Sequence, residues 1–263
     1  MEGLYLLEQT LKQISQNQER INQARPLDQT QVKNLKEYFK IGVTYSSNAL
    51  EGNTLTEAET KVVIEDGITI GGKPLKDHLE AIGHARAFDH IWELAKKTDI
   101  TEEDIKELHK ICFQPKDGAA AGQYRQVEVL ISGSQHNDKL PRYQEVPACM
   151  QEFVKGLAEK GEKLHPVEYA AFLHKDFIFI HPFEDGNGRT ARLIMNHALL
   201  SRGYPPVIIP VAFKHEYNQA LENSRTNKQV FSKYIAEQVL QAQRDYIRLL
   251  HIPQITKSRG MSR

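Results

Sequence analysis

HPFEDGNGRTAR, residues 181–192, separates two stretches of helical periodicity. Pro182 and the Gly-Asn-Gly run at 186–188 do not continue the preceding helix, so we expect a tight loop there. Arg189 opens a new helical pattern, which Gly203 ends. A glycine-rich loop that leads into a helix presents unpaired backbone amides and the positive end of the helix dipole, and these bind anions. The stretch therefore predicts a helix–loop–helix unit with an anion site at the loop.

Four side chains of this stretch suit phosphate chemistry. Arg189 and Arg192 are three residues apart, so they share one helix face beside the loop, where two guanidinium groups suit a polyphosphate. Asp185 is the acid of the tight turn, and Mg²⁺ is commonly held by one or two such carboxylates together with phosphate oxygens. His181 can be neutral near pH 7 and can accept a proton from an attacking hydroxyl group. Together these residues indicate phosphoryl or nucleotidyl transfer.

Other loop motifs fit the same stretch less well. An EF-hand-like loop would need an oxygen ligand where Arg189 stands, and it would need a bidentate Glu at a fixed later offset, which the sequence lacks. A Walker P-loop would end in Gly-Lys-Ser/Thr, and this stretch does not. A purely structural turn would not need His181, Asp185 and two arginines together.

Apolar residues recur at helical spacing through nearly all of the chain. An opening helix ends before Pro26, and a second helix runs from an Asp28 cap towards Ala49. Capping boxes are indicated by Thr56 with Glu59 and by Thr101 with Asp104. Further helices are predicted at about 76–97, 146–160, 166–180, 189–202, 214–224 and 228–250.

Residues 123–143 break the helical pattern. The β-branched residues Val127, Val129 and Ile131 stand at every second position, and the Ser-Gly-Ser run at 132–134 supplies a turn, which together predict a β-hairpin. From the residues alone two interpretations stay open. The segment is either a surface excursion or an exposed strand that pairs with an extended peptide of a partner.

Composition excludes several classes of function. In 263 residues, 34 Lys and Arg balance 34 Asp and Glu, so the basic excess of a nucleic-acid binder is missing and we expect no nucleic-acid partner. Two cysteines are too few for a disulfide framework and lack the spacing of a zinc site. The N-terminus lacks a signal-peptide pattern, and charges interrupt the most apolar stretch, 169–183. We therefore expect a cytoplasmic chain that does not act on membranes.

Three histidines repeat along the predicted helix at 76–97. His78, His84 and His90 are six residues apart, so they point to different sides of a helix and cannot bind one metal ion. We expect them at the surface or at its rim.

The stretch at 181–192 resembles, at every defining position, the core motif of the Fic (Fic/Doc) family of nucleotidyltransferases, His-x-Phe-x-Asp/Glu-Gly-Asn-Gly-Arg-x-x-Arg. The likeness extends over 47–72 and 165–210. It implies an all-α protein with the Fic fold, a helical core with one β-hairpin flap. The implied organisation is N-terminal helices over 1–100, a catalytic core over 101–250 with the flap at about 123–143, and a tail over 251–263.

Most Fic proteins transfer AMP from ATP to a Ser, Thr or Tyr hydroxyl of a target protein and release pyrophosphate. The resemblance implies His181 as the general base, Asp185 as the Mg²⁺ ligand and Phe183 as the anchor of the loop in the core. It also implies that the flap docks the target protein by strand pairing. The implied nucleotide-binding residues are Gly186, Asn187 and Gly188 around the phosphates, Arg189 on the inner phosphates, Arg192 on the γ-phosphate, and Tyr217 and Leu221 at the adenine.

A second motif, SNALEGN at 47–53, would alone pass for a helix end that glycine stops. Beside the Fic core it resembles the inhibitory helix of the family, Ser/Thr-x-x-x-Glu-Gly/Asn, here at about 44–53. The resemblance implies that Glu51 pairs with Arg192 and removes the partner of the γ-phosphate. Ser47 would brace the helix, and Gly52 completes the motif. The isolated chain is then expected to be largely inactive with ATP.

The motifs specify the class of chemistry better than they specify the donor or the exact reaction. Fic folds also transfer UMP, phosphocholine or phosphate, some relatives with the inhibitory glutamate also remove AMP, and a chain that has lost catalysis would be a binding scaffold. Arg125 either resembles a recurrent residue at the base of the flap or forms a surface salt bridge. The N-terminal helix leaves room for homo-oligomerisation.

Overall fold

The computed structural model describes residues 2–131 and 139–253. These residues are mostly helical and contain no strand, so the predicted all-α class is confirmed for them. None of the described helices is both long and apolar enough to cross a lipid bilayer. The α-helices in this part of the chain are α1 (Glu2–Gln23), α2 (Gln29–Leu50), α3 (Glu57–Glu65), α4 (Leu75–Leu94), α5 (Glu102–Asp117), α6 (Val146–Lys155), α7 (Leu157–Lys163), α8 (Pro166–Ile180), α9 (Asn187–Leu200), α10 (Lys214–Asn223) and α11 (Lys228–Leu249).

Three helices begin at the caps that the sequence predicts. The side chains of the caps Asp28, Thr56 and Thr101 each accept a hydrogen bond from the backbone N–H three residues later. The backbone N–H of each cap in turn donates to the side-chain oxygen of that later residue. For Asp28 the two bonds, both to Gln31, are 2.8 and 3.1 Å long. Because a capping box satisfies backbone N–H groups that the first turn leaves free, these contacts fix where α2, α3 and α5 start.

The helix predicted over 146–160 is two helices. α6 ends at Lys155 and α7 begins at Leu157, with Gly156 between them. The N–H of Gly156 bonds the nearby carbonyl of Val154 instead of continuing the α-helical ladder. Glycine is a poor helix former, so it provides a natural break at this point.

One continuous hydrophobic core joins the N-terminal helices to the rest of the chain. α8 and α9 pack against each other at its centre, α4 packs on α5, and α1 packs along α11. Leu7, Ile14 and Ile21, at seven-residue spacing on α1, are all buried in it. α2 contacts both α4 and α9, which brings the predicted inhibitory helix beside the predicted catalytic loop. The division of the chain near residue 100 stays a prediction.

The predicted hairpin is not seen in the described residues. Residues 123–131 and 139–143 form no paired strand, and the predicted turn at 132–134 lies outside the described residues. The alternating pattern of Val127, Val129 and Ile131 is compatible with a strand, but an isolated two-stranded ribbon is marginally stable in water. The two described segments therefore lack the interstrand hydrogen bonds that the alternation predicts.

The expected surface position of the histidines on α4 is wrong for two of them. His78 is buried, accepts a hydrogen bond from the Ile70 N–H at 2.8 Å and contacts the Pro74 carbonyl through its other nitrogen at 2.9 Å. His84 is buried with Nδ1 3.1 Å from the Thr44 hydroxyl. His78 is held by contacts within ten residues, whereas His84 contacts Thr44 on α2, and the spacing along α4 reveals neither. The described residues hold no group of three His, Cys, Asp or Glu side chains that could bind a metal ion.

Candidate active site

The loop between α8 and α9 has the form that its sequence predicts. α8 ends at Ile180, and His181 follows in the left-handed conformation with φ 52° and ψ 59°. The His181 N–H still bonds the Phe177 carbonyl, at 3.0 Å. α9 begins at Asn187, after Gly186, whose φ is 78°. The turn between the two helices is therefore short, and the first amides of α9 face its concave side.

The buried side chains of Asn187 and Phe183 hold this loop against the core. The Asn187 side chain accepts a hydrogen bond from the Phe183 N–H at 2.9 Å and donates one to the Phe183 carbonyl at 2.8 Å. The Phe183 ring is fully buried and stacks on His109 with ring centres 3.7 Å apart. His109 accepts a bond from the Gly122 N–H and therefore donates through Nε2 to the Asp185 carbonyl, at 3.0 Å. Burial lowers the pKa of His109 to about 4, so this bridge stays neutral at pH 7.

Gly186 is required by both its conformation and its surroundings. Its positive φ favours glycine, and a Cβ at this position would lie 2.1 Å from the ring of Phe113 on α5. Any larger residue would push α5 and the loop apart.

His181 is half-buried at the rim of the loop. Burial lowers the pKa of its imidazole to about 4, and the charge of Arg125 acts in the same direction. The ring is therefore neutral at pH 7. A neutral imidazole can accept a proton, which is the property a general base needs.

Arg192 is the centre of a buried hydrogen-bond cluster. Its Nη2 lies 2.7 Å from Glu51 Oε1, and its Nε lies 2.9 Å from the Ser47 hydroxyl. Nη2 also donates to the backbone carbonyl of Ser47 at 2.9 Å, because the Glu51 N–H bonds the carbonyl of Asn48 instead. Nη1 lies 3.3 Å from the Tyr217 hydroxyl. The predicted pairing of Glu51 with Arg192 is thus present as a direct contact.

Glu51 is the last residue of the turn that closes α2, and it reaches over the start of α9. Burial opposes its ionisation, but the charge of Arg192 and the hydrogen bond from it outweigh burial, so the pKa of Glu51 is lowered. Its Oε1 would be 2.3 Å from a Cβ on residue 188, where the chain has glycine. Gly52 follows with φ 94° and no neighbouring atom near its Cβ position, so it lets the chain turn away from α2.

Arg189 and Asp185 belong to a second charged cluster. Arg189 is buried, lies 3.4 Å from Asp185 Oδ2 and 3.1 Å from Glu80 Oε1, and its guanidinium lies over the Phe113 ring. Lys116 Nζ lies 2.7 Å from Asp185 Oδ2. Burial opposes the ionisation of Asp185, but these cations outweigh it and lower its pKa.

The exposed part of this cluster can accept a metal ion. The Asp185 side chain is 56% exposed beside the first turn of α9, and the ammonium of Lys116 marks a position where a cation sits against it. One carboxylate next to helix amides fits Mg²⁺ that is bound mainly through phosphate oxygens and water.

A cavity of about 450 Å³ brings six of the predicted site residues together. Its wall includes Glu51, His181, Gly188, Arg192, Tyr217 and Leu221. Asp185 lines a neighbouring cavity of about 440 Å³ instead, with His109 and Tyr124. Ser47 and Asn187 are buried behind the site, where they hold other site residues and line neither cavity.

Comparison with known proteins identifies the family. The Fic/DOC family model matches residues 99–199, which include the loop and the first turns of α9. A Fic-domain-containing signaling protein from Bacteroides thetaiotaomicron is 31% identical, with a TM-score of 0.80 over 93% of this chain and 100% of that chain. The chain belongs to the Fic/DOC family.

Two further Fic proteins match over much of the chain. A fragment of Fic-1 from C. elegans has a TM-score of 0.82 and 27% identity over 94% of this chain and 73% of that chain. The Protein adenylyltransferase Fic of Drosophila yakuba is 38% identical over 196 residues, which are 73% of this chain and 39% of the relative. The chain therefore spans about two fifths of the length of this curated relative.

Arg125 ties the predicted flap segment to the Fic loop. Its side chain is completely buried and donates to the carbonyls of His181 at 2.9 Å, Val127 at 3.1 Å and Pro141 at 2.5 Å. Its backbone N–H bonds the Pro182 carbonyl at 2.9 Å. Arg125 also forms an ion pair with the exposed Glu128 at 3.4 Å, so the salt bridge of the second interpretation is present as well, and the role at the base of the flap stays a prediction.

Three residues of the Fic site carry no signal in the sequence. Glu80, His109 and Lys116 contact the loop from α4 and α5, far away along the chain. His174 likewise supports the site through a 2.8 Å hydrogen bond with Tyr217. None of them stands in a recognisable motif, so only the packing of the helices reveals them.

Proposed function

We propose that this Fic protein is a protein adenylyltransferase, which transfers AMP from ATP to a Ser, Thr or Tyr hydroxyl of a target protein and releases pyrophosphate. The observation that carries the proposal is the cavity in which a neutral His181 faces Gly188 and Arg192 at the start of α9. A base, the N-terminus of a helix and a guanidinium group around one space suit attack on a phosphate. The name of the Drosophila relative supports the same reaction.

In the proposed reaction His181 takes the proton of the target hydroxyl while that oxygen attacks the α-phosphorus of ATP. A bond forms between this oxygen and the α-phosphorus, and the bond from the α-phosphorus to the bridging oxygen breaks, so pyrophosphate leaves. The amides of Gly186, Asn187 and Gly188, together with Arg189, stabilise the negative charge that develops on the phosphates. Asp185 would hold Mg²⁺, which supplies further positive charge when it is bound.

The adenine is proposed to bind between Tyr217 and Leu221. Both residues are on α10 and line the same cavity as His181. The Tyr217 ring is held in place because its hydroxyl bonds both His174 and Arg192. A flat base would pack on the parts of these two side chains that line the cavity.

Glu51 is proposed to keep the enzyme inactive until it is moved. Its carboxylate uses the Arg192 guanidinium, which is otherwise available for the γ-phosphate, and it places negative charge where a phosphate would bind. Ser47 stabilises this arrangement because it binds the same guanidinium from α2. The segment at 123–143 is proposed to dock an extended stretch of the target by strand pairing, anchored by Arg125.

The decisive experiment compares wild type, Glu51→Gly and Glu51→Gly/His181→Ala, incubated with Mg²⁺ and with ATP labelled at either the α- or the γ-phosphate. We expect label on protein from α-labelled ATP only, strong with Glu51→Gly, weak with wild type and absent without His181. Glu65→Gly, an exposed glutamate at the end of α3, is the matched control and should behave as wild type.

Other outcomes point to other members of the same class of proteins. Label from γ-labelled ATP would indicate a phosphate transferase. Label only from UTP or CDP-choline in the presence of a cell lysate would indicate another donor. No label from any donor would leave a binding scaffold, and the proposal would be wrong.

A further inference from the structure

Lys116 occupies the position beside Asp185 that the proposed metal ion would use. It lies at the C-terminal end of α5, and its ammonium is 2.7 Å from Asp185 Oδ2 and 3.4 Å from Asp117 Oδ1. Its side chain is only 23% exposed. Burial alone would lower the pKa of Lys116, but the hydrogen bond and the charge of Asp185 outweigh it and raise the pKa. The side chain is therefore a cation at neutral pH.

A second carboxylate is within reach of the same ammonium. Glu80, on α4, is 12% exposed, and its Oε1 lies 3.7 Å from Lys116 Nζ and 3.1 Å from Arg189 Nη1. Lysine has a flexible stem, so rotation of its side chain can bring the ammonium from one carboxylate to the other. Glu80, which also forms an ion pair with Arg189 at 3.1 Å and accepts a hydrogen bond from the Asn53 amide at 3.1 Å, thus offers Lys116 an alternative carboxylate.

A divalent cation and an ammonium group on the same carboxylate repel each other, so Lys116 and a metal ion would compete for Asp185. We propose that Lys116 is a positioning residue that occupies the Asp185 carboxylate in the nucleotide-free protein and moves to Glu80 when metal-loaded ATP binds. The inference rests on the proposed function in one respect only, namely that Asp185 receives a Mg²⁺ that arrives with the nucleotide.

This exchange has a consequence for nucleotide affinity. Metal-free ATP would bind beside an Asp185 that Lys116 already neutralises, so it meets little repulsion there. Metal-loaded ATP must first separate Lys116 from Asp185, which weakens its binding. Lys116 therefore reduces the difference in affinity between ATP with Mg²⁺ and ATP without it.

The test measures binding and does not require turnover. The dissociation constant of α,β-methylene-ATP, which cannot release pyrophosphate, is determined by calorimetry in excess Mg²⁺ and in excess EDTA. All proteins carry Glu51→Gly, so that no carboxylate is paired with Arg192. We expect the ratio of the EDTA value to the Mg²⁺ value to rise by about fivefold in Lys116→Met. Lys110→Met, which removes a more exposed lysine from the same helix, should leave the ratio unchanged.

Two further variants separate competition from a general charge effect. Lys116→Arg keeps the cation and should keep the ratio near that of the parent. Asp185→Asn removes the shared carboxylate, so the ratio should fall towards one, and adding Lys116→Met should no longer change it.

The possible failures are distinguishable. If Lys116→Met leaves the ratio unchanged, or lowers it, the inference is wrong even if AMP transfer is observed. If the analogue binds but no AMP is transferred to any protein, the proposed function is wrong while the ratio still decides the role of Lys116. If no nucleotide binds under either condition, both are overturned.

Discussion

Gly188 and Glu51 are in contact in a way that no other residue at position 188 would allow. A Cβ on residue 188 would lie 2.3 Å from Glu51 Oε1 and 3.1 Å from Arg192 Nη1. The glycine that lets a phosphate approach the start of α9 therefore also lets the carboxylate approach it. Under the proposed function, Glu51 and the nucleotide use the same opening in the backbone.

The Glu51–Arg192 pair should stabilise the protein only at a pH where Glu51 is ionised. The pKa of Glu51 is lowered from 4.5 in the folded state, so its contribution is present above about pH 4.5 and is lost as the pH falls through the folded pKa. We expect Glu51→Gln to reduce the free energy of unfolding by about 1 kcal/mol at pH 7, a value that allows for the partly exposed carboxylate. Urea unfolding at pH 7, 5 and 4 measures the difference. It should shrink towards pH 4, and a constant difference would contradict the assignment.

Under the proposed function, the rate of AMP transfer should be insensitive to protonation of His181 near neutral pH. Burial lowers the pKa of His181 to about 4, whereas an ordinary histidine titrates near 6.5. We therefore expect kcat/KM of Glu51→Gly to stay level from about pH 5.5 to pH 8, since the imidazole is neutral throughout. An acidic limb centred near pH 6.5 would show that His181 is not buried in the active protein. Glu51→Gly/His181→Ala gives the background rate.

Asn187 should be essential for the shape of the loop. Asn187→Asp keeps the acceptor for the Phe183 N–H but loses the donor to the Phe183 carbonyl, which would then face a carboxylate in a buried place. We expect a loss of about 2 kcal/mol in the free energy of unfolding, measured with urea. Asn218→Asp, at an exposed position on α10, is the control and should change it little. Equal losses in the two variants would mean that the clamp on Phe183 contributes nothing specific.

Arg125 should control the order of the segment that follows it. Arg125→Met removes side-chain bonds to the carbonyls of His181, Val127 and Pro141. We expect faster hydrogen exchange in residues 126–131 and 139–142, and a KM for the target protein that rises more than the KM for ATP. Lys139→Met, an exposed change in the same segment, should alter neither quantity. Unchanged exchange in Arg125→Met would remove the role of this residue as an anchor.

Local signals predicted most of the fold. The capping boxes at Thr56 and Thr101 involve residues three positions apart, so the sequence contains both partners of each bond. The loop at 181–192 is equally local, because proline and glycines set its backbone directly. The contact between Glu51 and Arg192 is long-range, and it was predicted only because both segments resemble motifs of one family.

The other features of the fold and of the site depend on packing between distant segments, which no local sequence pattern predicts. Lys116 and Glu80 reach the loop because α4 and α5 pack together beside α9, and a lysine on one helix and a glutamate on another carry no mark of their meeting. The sequence spacing of His84 led us to expect it at the surface, but it is buried. Burial lowers the pKa of its imidazole to about 3. The strand predicted from alternation at 127–131 fails for the opposite reason, since a pattern alone does not supply a pairing partner.

The hydrogen bond from Arg192 to the Ser47 carbonyl affects how α2 ends. The final turn of α2 is tightened, so this carbonyl takes its hydrogen bond from Arg192 and not from the chain's own backbone. A nucleotide that drew Arg192 away would therefore remove both the partner of Glu51 and a cap of the helix that carries it. Under the proposed function, unravelling of the terminal turn would release the carboxylate, while the body of α2, which is buried against α4 and α9, would stay in place.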